Sequence, residues 1–98
     1  MPYFQIMLSG RGIRISNGQH AEAIVGFITT RIVQANGEEE AARTATRQVA
    51  QEWIQGRYAS KNQGGPPSLE VDRSERIHFL KGFLLRKRAG YVFYSHED

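Results

Sequence analysis

The sequence contains no cysteine among its 98 residues. This absence excludes a disulfide framework, a thiolate zinc site and a cysteine nucleophile. The chain also has no apolar run of about 18 or more residues, the length that a membrane-spanning helix needs. The first four residues, Met1 to Phe4, carry no basic group of the kind that opens a secretory signal. We therefore expect a soluble cytoplasmic protein.

The composition is that of a folded domain. Apolar residues make up 40% of the chain and charged residues 23%, which is too apolar for a disordered tail. Thirteen Lys and Arg against ten Asp and Glu give a net charge of +3, so the chain is only mildly basic. A chain of this length has room for one core. We predict a single domain spanning residues 1–98, with residues 95–98 fraying.

The N-terminal region has the pattern of a β-strand. Phe4, Ile6 and Leu8 alternate with other residues and share one face, and the alternation resumes at residues 13–15. Between them lies Ser9-Gly10-Arg11-Gly12, and glycine inside a strand pattern often marks a bulge. One bent strand and two short strands both satisfy this pattern.

The longest strand pattern, residues 24–35, is apolar on both faces. One face carries Ile24, Ile28 and Ile32, and the other carries Val25, Phe27 and Val33. A strand of this kind is covered on both sides, and one helix covers only one face of a small sheet. We therefore predict that the second face meets a partner subunit, a curled part of the sheet or a ligand.

The residues that follow Asn36-Gly37 predict a helix rather than a hairpin. Three glutamates at 38–40 face the positive end of the helix dipole, with Asn36 as the N-cap and Glu39 at N3. The helix is expected to end near Gln55, before Gly56. Its apolar stripe follows the i, i+3, i+4 spacing of an amphipathic helix and consists of Ala41, Ala42, Ala45, Val49 and Trp53.

The C-terminal part predicts two further strands after a loop at 60–67. Residues 69–79 alternate, but Arg73 and Glu75 occupy the nominally apolar side, so the centre of this strand is expected at an edge or outside the core. Residues 80–89 have no clear period, and a loop and a helical turn both remain open. Residues 90–94 form a short aromatic strand. The predicted fold is α+β, in the order β-β-α-β-β, with a mostly antiparallel sheet of about four strands and one main helix across one face.

Residue types that carry catalysis or bind metals are present but form no recognisable site. His20, His78 and His96 have no second ligand at a metal-binding spacing. No G-x-S-x-G turn presents a nucleophilic serine. The glycines of residues 9–12 resemble an anion-binding loop, but they precede another strand-like run rather than a helix. We expect no enzymatic activity, no metal site and no cofactor.

One stretch differs from the rest of the chain in its charge. Residues 76–90 contain no acidic residue and five basic ones, namely Arg76, Lys81, Arg86, Lys87 and Arg88. Phenylalanine and leucine are interleaved with them. Cations with aromatic rings bind single-stranded nucleic acid, and the same composition suits an anionic membrane surface or a connection whose apolar residues complete the core. Together with Arg11 and Arg14, these basic residues form a candidate anion-binding or nucleic-acid-binding site.

Four segments resemble a family of small bacterial proteins of about this length. They are residues 2–6 (Pro-Tyr-Phe-Gln-Ile), 25–31 (Val-Gly-Phe-Ile-Thr-Thr-Arg), 66–71 (Pro-Pro-Ser-Leu-Glu-Val) and 90–94 (Gly-Tyr-Val-Phe-Tyr). The second and fourth segments are the most specific. No activity, cofactor or catalytic residue is known for that family, so the resemblance implies a stand-alone bacterial domain and carries no function.

The sequence leads to two functional hypotheses. The first is a non-enzymatic binding module, homodimeric, that acts on a small molecule or a protein partner. Its interface candidates are the aromatic residues Phe27, Phe83, Tyr91 and Tyr94, of which the last two are expected to be exposed. The alternative is binding of single-stranded RNA or DNA through residues 76–94, which would weaken steeply with salt.

Overall fold

The structure is a computed structural model that describes residues 1–16, 22–56, 58–87 and 90–95. Arg88, His20, His96 and all but the first residue of the tail predicted to fray, 95–98, lie outside the described residues. The elements of the described chain are β1 (Tyr3–Ile15), β2 (Ile24–Gln34), α1 (Glu38–Ile54), β3 (Ser68–Ile77), α2 (Phe79–Leu85) and β4 (Gly90–Tyr94). The order is therefore β-β-α-β-α-β, and the predicted order was wrong in lacking α2.

The four strands form one antiparallel sheet in the order β3-β1-β2-β4. This confirms the predicted α+β class and the antiparallel sheet. β1 is central, because it pairs with β2 on one side and with β3 on the other. β3 is an edge strand, and its charged centre at Arg73 and Glu75 pairs with Met7 and Gln5 on the sheet face that α1 does not cover, where both side chains reach solvent.

Of the two alternatives for the N-terminal region, the structure has one continuous strand with an irregularity. Gly12 has a φ of +84°, in the left-handed region that favours glycine. The register between β1 and β2 shifts between Arg11 and Ile15, on either side of this glycine. The sequence interruption at residues 9–12 therefore bends β1 without ending it.

Helix α1 covers one face of the sheet with the predicted stripe. Ala41, Ala45, Val49 and Trp53 are buried, whereas Ala42 is only partly so. They pack on a core contributed mainly by β1 and β2, which includes Phe4, Ile6, Leu8, Phe27 and Val33. Alanines at the start of the helix bring its backbone close to the sheet, and Trp53 fills the wider space at the other end.

The N-cap of α1 is Gly37 and not Asn36, which corrects the prediction. Gly37 has an extended backbone and offers no side chain for capping. The carboxylate of Glu40 accepts a hydrogen bond from the backbone N–H of Asn36 at 2.8 Å instead. This bond satisfies the N–H of the residue before the N-cap and fixes the approach of the chain to α1, but it does not cap the free N–H groups of the first turn. The helix ends at Ile54 with Gln55 as its C-cap, close to the predicted end.

Candidate interaction surface

Strand β2 has two faces with different surroundings. Phe27, Thr29 and Arg31 point toward α1 and are buried. Ile28, Thr30 and Ile32 alternate with them and point to the opposite side of the sheet, which we call the open face. The only described helix on the open face is α2, which packs at one end over Tyr3. The predicted cover of the second face is therefore incomplete in a single chain, and Ile28 remains exposed.

Helix α2 is fixed to the sheet by a short set of contacts. The ring nitrogen Nδ1 of His78 caps it by accepting a hydrogen bond from the N–H of Leu80 at 3.1 Å. Gly82 is buried against the ring of Tyr3, so closely that a Cβ there would lie 2.2 Å from Cγ of Tyr3. The residue that α2 turns toward the sheet at this point is thus a glycine, because no larger residue fits.

The side of α2 that faces away from the sheet carries large apolar side chains. Phe79, Leu80, Phe83 and Leu84 are exposed by 63%, 58%, 46% and 74%. They form two adjacent i, i+4 pairs, Phe79 with Phe83 and Leu80 with Leu84, and cover about 140° of the helix circumference. We call these four residues the α2 ridge. A helix that packs on a sheet normally turns its apolar side inward, so the orientation of α2 is reversed.

Beside α2, the open face forms an apolar groove of about 290 Å³. Its walls are Leu85 of α2 and apolar or amide side chains of the sheet, which include Gln5, Ile28, Ile32 and Val92. Ile28 and Val92 are directly paired across β2 and β4, and both are exposed. The groove touches α2 at Leu85, and the α2 ridge lies on the other side of the same helix, so α2 carries apolar side chains both toward the groove and toward solvent.

The two edges of the sheet differ in charge. The edge strand β3 carries five charged residues, namely Glu70, Asp72, Arg73, Glu75 and Arg76. The edge strand β4 has the sequence Gly-Tyr-Val-Phe-Tyr and carries none. No described strand lies beyond β4. Charged side chains on an edge strand discourage pairing with another sheet, so β3 is protected and β4 is not.

A buried ion pair ties β4 to α1 and β2. Arg31 donates from Nη1 and Nη2 to the two carboxylate oxygens of Glu52, at 2.6 and 3.1 Å. The hydroxyl of Tyr91 donates to Glu52 Oε1 at 2.7 Å. Arg31 Nε donates to Thr29 Oγ1 at 3.3 Å, and the Thr29 hydroxyl donates to the carbonyl of Gly90 at 2.7 Å.

The protonation of this cluster follows from its burial and contacts. Burial raises the pKa of Tyr91 well above its ordinary value, and the hydrogen bond to Glu52 raises it further. Burial, the largest single effect, lowers the pKa of Arg31, but the hydrogen bonds and charge interactions with Glu52 and Tyr91 together outweigh it and leave that pKa raised. Arg31 is therefore a fixed cation and Tyr91 a neutral donor. Because the Glu52 oxygens accept bonds from both neighbours, we interpret the cluster as structural support for β4.

Aromatic rings support the same region from the α1 side. Trp53 stacks on Phe27 with ring centroids 5.0 Å apart and on Tyr58 with centroids 4.6 Å apart. Tyr91 and Phe93 meet the Trp53 ring edge-on. β4 is thus firmly attached through its α1 face, while its outer edge and its open face have no such support in the described chain.

The interface candidates from the sequence differ in their exposure to solvent. Phe27 is fully buried in the core and is not accessible to a partner, which corrects its proposed role. Tyr91 and Tyr94 are half-buried rather than exposed, with Tyr94 packed against Gly26. Phe83 is exposed and belongs to the α2 ridge.

The structure does not bring all the predicted basic residues together. Arg11, which pairs with Glu70 at 3.9 Å, and Arg14 lie toward the end of β1 that is farthest from α2. The eight-residue step from Tyr3 to Arg11 corresponds to roughly 26 Å of extended strand.

Arg76 pairs with Phe4 across the strands and so lies on the α1 side of the sheet. Lys81, Arg86 and Lys87 are exposed in or just after α2. Arg86 donates to the carbonyl of Phe83 and its guanidinium lies 3.9 Å from the centre of the Phe83 ring. Only the group at 81–87 lies next to the α2 ridge; Arg11, which pairs with Gly26, is on the open face but at the far end of β1.

Sequence reasoning missed the pair of Arg31 and Glu52. A signal for it exists, because Arg31 falls on the same alternate positions of β2 as Phe27 and Val33. An arginine on a buried face requires a carboxylate partner, and the helix that covers this face offers Glu52 next to its anchor Trp53.

Within the described ranges, no group of three or more His, Asp or Glu side chains is placed to hold a metal ion. No helix of the described chain has both the length and the hydropathy to cross a membrane. Comparison of the sequence and fold with protein-family models, with curated proteins and with solved structures gives no match.

Proposed function

We propose that the chain is a non-enzymatic interaction module that works as a homodimer, and that β4 is the strand through which two copies pair. The observation that carries the proposal is the contrast between the two sheet edges. β3 is blocked by charged side chains, whereas β4 is uncharged, apolar and held rigidly by Tyr91 and Phe93. An edge of that kind is a ready template for pairing with an identical strand.

The pairing is self-complementary. Two antiparallel copies of β4 are related by a two-fold axis, so the same residues meet on both sides. With Val92 at the centre of the strand, its exposed side chain contacts its own copy on the open face. Because Tyr91 of one copy then lies opposite Phe93 of the other, their half-buried rings meet on the α1 face. Apolar surface left uncovered in one chain is covered in the pair.

The contact is small. A five-residue strand from each copy buries less than the roughly 1,200 Å² of a stable interface. We therefore expect a dimer that dissociates at about micromolar concentration. The groove beside Ile28 and Val92 remains accessible near the pair and, at about 290 Å³, suits a small apolar ligand or a side chain of a protein partner.

Sedimentation over a range of concentrations tests the pairing. The wild-type chain should pass from 11.1 kDa to twice that mass as concentration rises. Val92→Lys should remain a monomer, because it places two like charges beside each other at the two-fold axis. Val71→Lys is the matched control, since Val71 is an exposed valine on the other edge strand.

The control variant should dimerise like the wild type. A single 11.1 kDa species at every concentration up to the solubility limit would refute the dimer. Equal effects of the two lysine variants would refute the assignment of the interface to β4.

Binding of single-stranded nucleic acid is less well supported by the structure. Arg11, Arg14 and Arg76 lie away from the cations of 81–87, so they do not form one track for a phosphate backbone. The Phe83 ring has the Arg86 guanidinium over it, where a base would stack. Titration with a mixed single-stranded oligonucleotide at low salt and again at about 0.2 M salt tests this alternative, because binding through phosphates weakens steeply as salt rises.

A further inference from the structure

We infer that α2 docks the protein onto an anionic lipid surface, with the α2 ridge in contact with the acyl chains and the neighbouring cations in contact with the headgroups. This inference goes beyond the proposed pairing through β4. It requires no second copy, since one α2 ridge already presents the surface.

The reversed orientation of α2 supplies the apolar contact with lipid. Phe79 contacts the ring of Tyr3 on one side, the other three ridge side chains point away from the sheet, and each of the four is about half exposed or more. Because Gly82 is pressed against Tyr3, α2 cannot rotate to bury them without losing that contact. Amphipathic helices at membrane surfaces insert an apolar side of this kind about 5–10 Å into the boundary between headgroups and acyl chains.

The cations that flank the ridge supply the electrostatic contact with lipid. Lys81, Arg86 and Lys87 are exposed, and residues 76–90 contain no acidic side chain. Lysine and arginine extend along apolar surface and place their charges at the headgroup level. Near an anionic membrane each such charge contributes a favourable interaction. An uncharged lipid surface would contact the apolar side chains of the α2 ridge but would offer no partner to the cations beside it.

The charge also decides against a second copy as the occupant of the ridge. Two α2 helices that met across a two-fold axis would bring Lys81, Arg86 and Lys87 against the same cations of the other copy. Nothing acidic within residues 76–90 would compensate for that repulsion. Pairing through β4 avoids it.

Lipid also fits the ridge better than nucleic acid does. Bases bind by stacking on flat ring faces, and two of the four ridge residues are leucines, which offer none. Acyl chains accept leucine and phenylalanine alike. The chemistry of the ridge as a whole therefore matches a lipid surface.

Co-sedimentation with vesicles tests this inference. The full chain should bind vesicles of phosphatidylglycerol and phosphatidylcholine much more tightly than vesicles of phosphatidylcholine alone. Leu80→Ser combined with Leu84→Ser should weaken binding about tenfold or more, because it removes the two leucines of the ridge. Ile54→Ser is the matched control, since Ile54 is exposed at the end of α1.

A second pair of variants tests the charges. Lys81→Gln combined with Lys87→Gln should weaken binding to the anionic vesicles about 25-fold, at roughly fivefold for each charge. Lys61→Gln, at an exposed position away from α2, should have little effect. The intrinsic fluorescence of buried Trp53 reports whether each variant is folded. Val92→Lys should still bind the vesicles, so failure of the dimer and failure of the lipid contact are distinguishable.

Three results would overturn the inference. The first is an absence of binding to the anionic vesicles at low salt. The second is an equal loss of binding in Ile54→Ser and in the double leucine variant. The third is displacement from the vesicles by a mixed single-stranded oligonucleotide whose own binding needs Lys81 and Lys87 but not Leu80 and Leu84, which would identify nucleic acid as the ligand.

Discussion

Replacement of Glu52 by Gln tests the interpretation of the buried ion pair. The side chain of Arg31 is only 7% exposed, and Glu52 is its carboxylate partner at 2.6 Å. Glu52→Gln keeps the size of the side chain and an oxygen that accepts from Tyr91, but it removes the charge that balances the guanidinium. An uncompensated buried charge costs about 3–5 kcal/mol.

The expected cost is smaller here, because water reaches part of the site. The side chain of Glu52 is 36% exposed. Solvent therefore replaces some of the lost interaction, and we expect the free energy of unfolding to fall by about 2 kcal/mol. Arg31→Met alone should also destabilise the protein. In the double variant the two losses should not add, with a coupling of about 1–2 kcal/mol.

Urea unfolding measures these changes, followed by the fluorescence of Trp53, the only tryptophan. A loss of about 2 kcal/mol should lower the urea midpoint by about 1–2 M and the Tm by roughly 10 °C. Dilute protein keeps self-association from contributing to the apparent stability.

The exposed pair of Glu39 and Arg43, 3.7 Å apart on α1, is the matched control. Glu39→Gln should cost about 0.5 kcal/mol or less. The reasoning would be refuted if Glu52→Gln cost no more than Glu39→Gln. It would also be refuted if the effects of Arg31→Met and Glu52→Gln were simply additive.

Two further predictions concern the same core. Because the pKa of Tyr91 is raised by folding, its contribution to stability is complete below about pH 10 and declines as the pH rises above that value. The urea midpoint should fall less steeply over this range in Tyr91→Phe than in the wild type, and equal slopes would contradict the assignment. Gly10→Ala should destabilise the protein by about 1–2 kcal/mol, because its Cβ would lie 2.2 Å from the ring of Phe27, which stacks on Trp53 and cannot yield. Gly65→Ala, where a Cβ meets nothing, should be neutral or slightly stabilising in the same assay.

Much of the fold is predictable from local patterns. The alternation in β1 and β2 and the stripe on α1 arise because one side of each element packs on the core. The residues between the elements are of the types that form turns. Even the edge position of β3 is encoded, because Arg73 and Glu75 on its nominally apolar side are compatible only with access to solvent.

Helix α2 is not predictable by the same rule. Pattern analysis assumes that apolar residues point inward, and α2 turns Gly82 inward and its phenylalanines and leucines outward. A helix with apolar side chains outward and cations among them shows no simple period. The order of the strands is also inaccessible, because β1 pairs with β3 from more than fifty residues away in the sequence.

The candidate surface was predictable in outline only. The two apolar faces of β2 indicated that one helix could not cover both, and in the described chain Ile28 on the second face is exposed, while the predicted cover by a partner, a curled sheet or a ligand stays a prediction. The residues of the surface were harder to predict, because the sequence does not show which aromatic rings fill the core and which remain exposed. In the sequence, Phe27 and Phe83 both look like interface residues. The structure distinguishes them by their neighbours, because Trp53 stacks on Phe27 in the core and Arg86 lies over Phe83 at the surface.

The edge position of β4 has a consequence for the geometry of attachment. The two-fold axis between antiparallel neighbours runs perpendicular to the sheet, so two copies joined through β4 keep their open faces on the same side. Both α2 ridges of the proposed dimer then face one plane and contact a flat bilayer together. Contact of one helix raises the effective concentration of the other at the surface. A dimer that is weak in dilute solution would therefore be favoured at the membrane, and it would detach only when both helices leave at once.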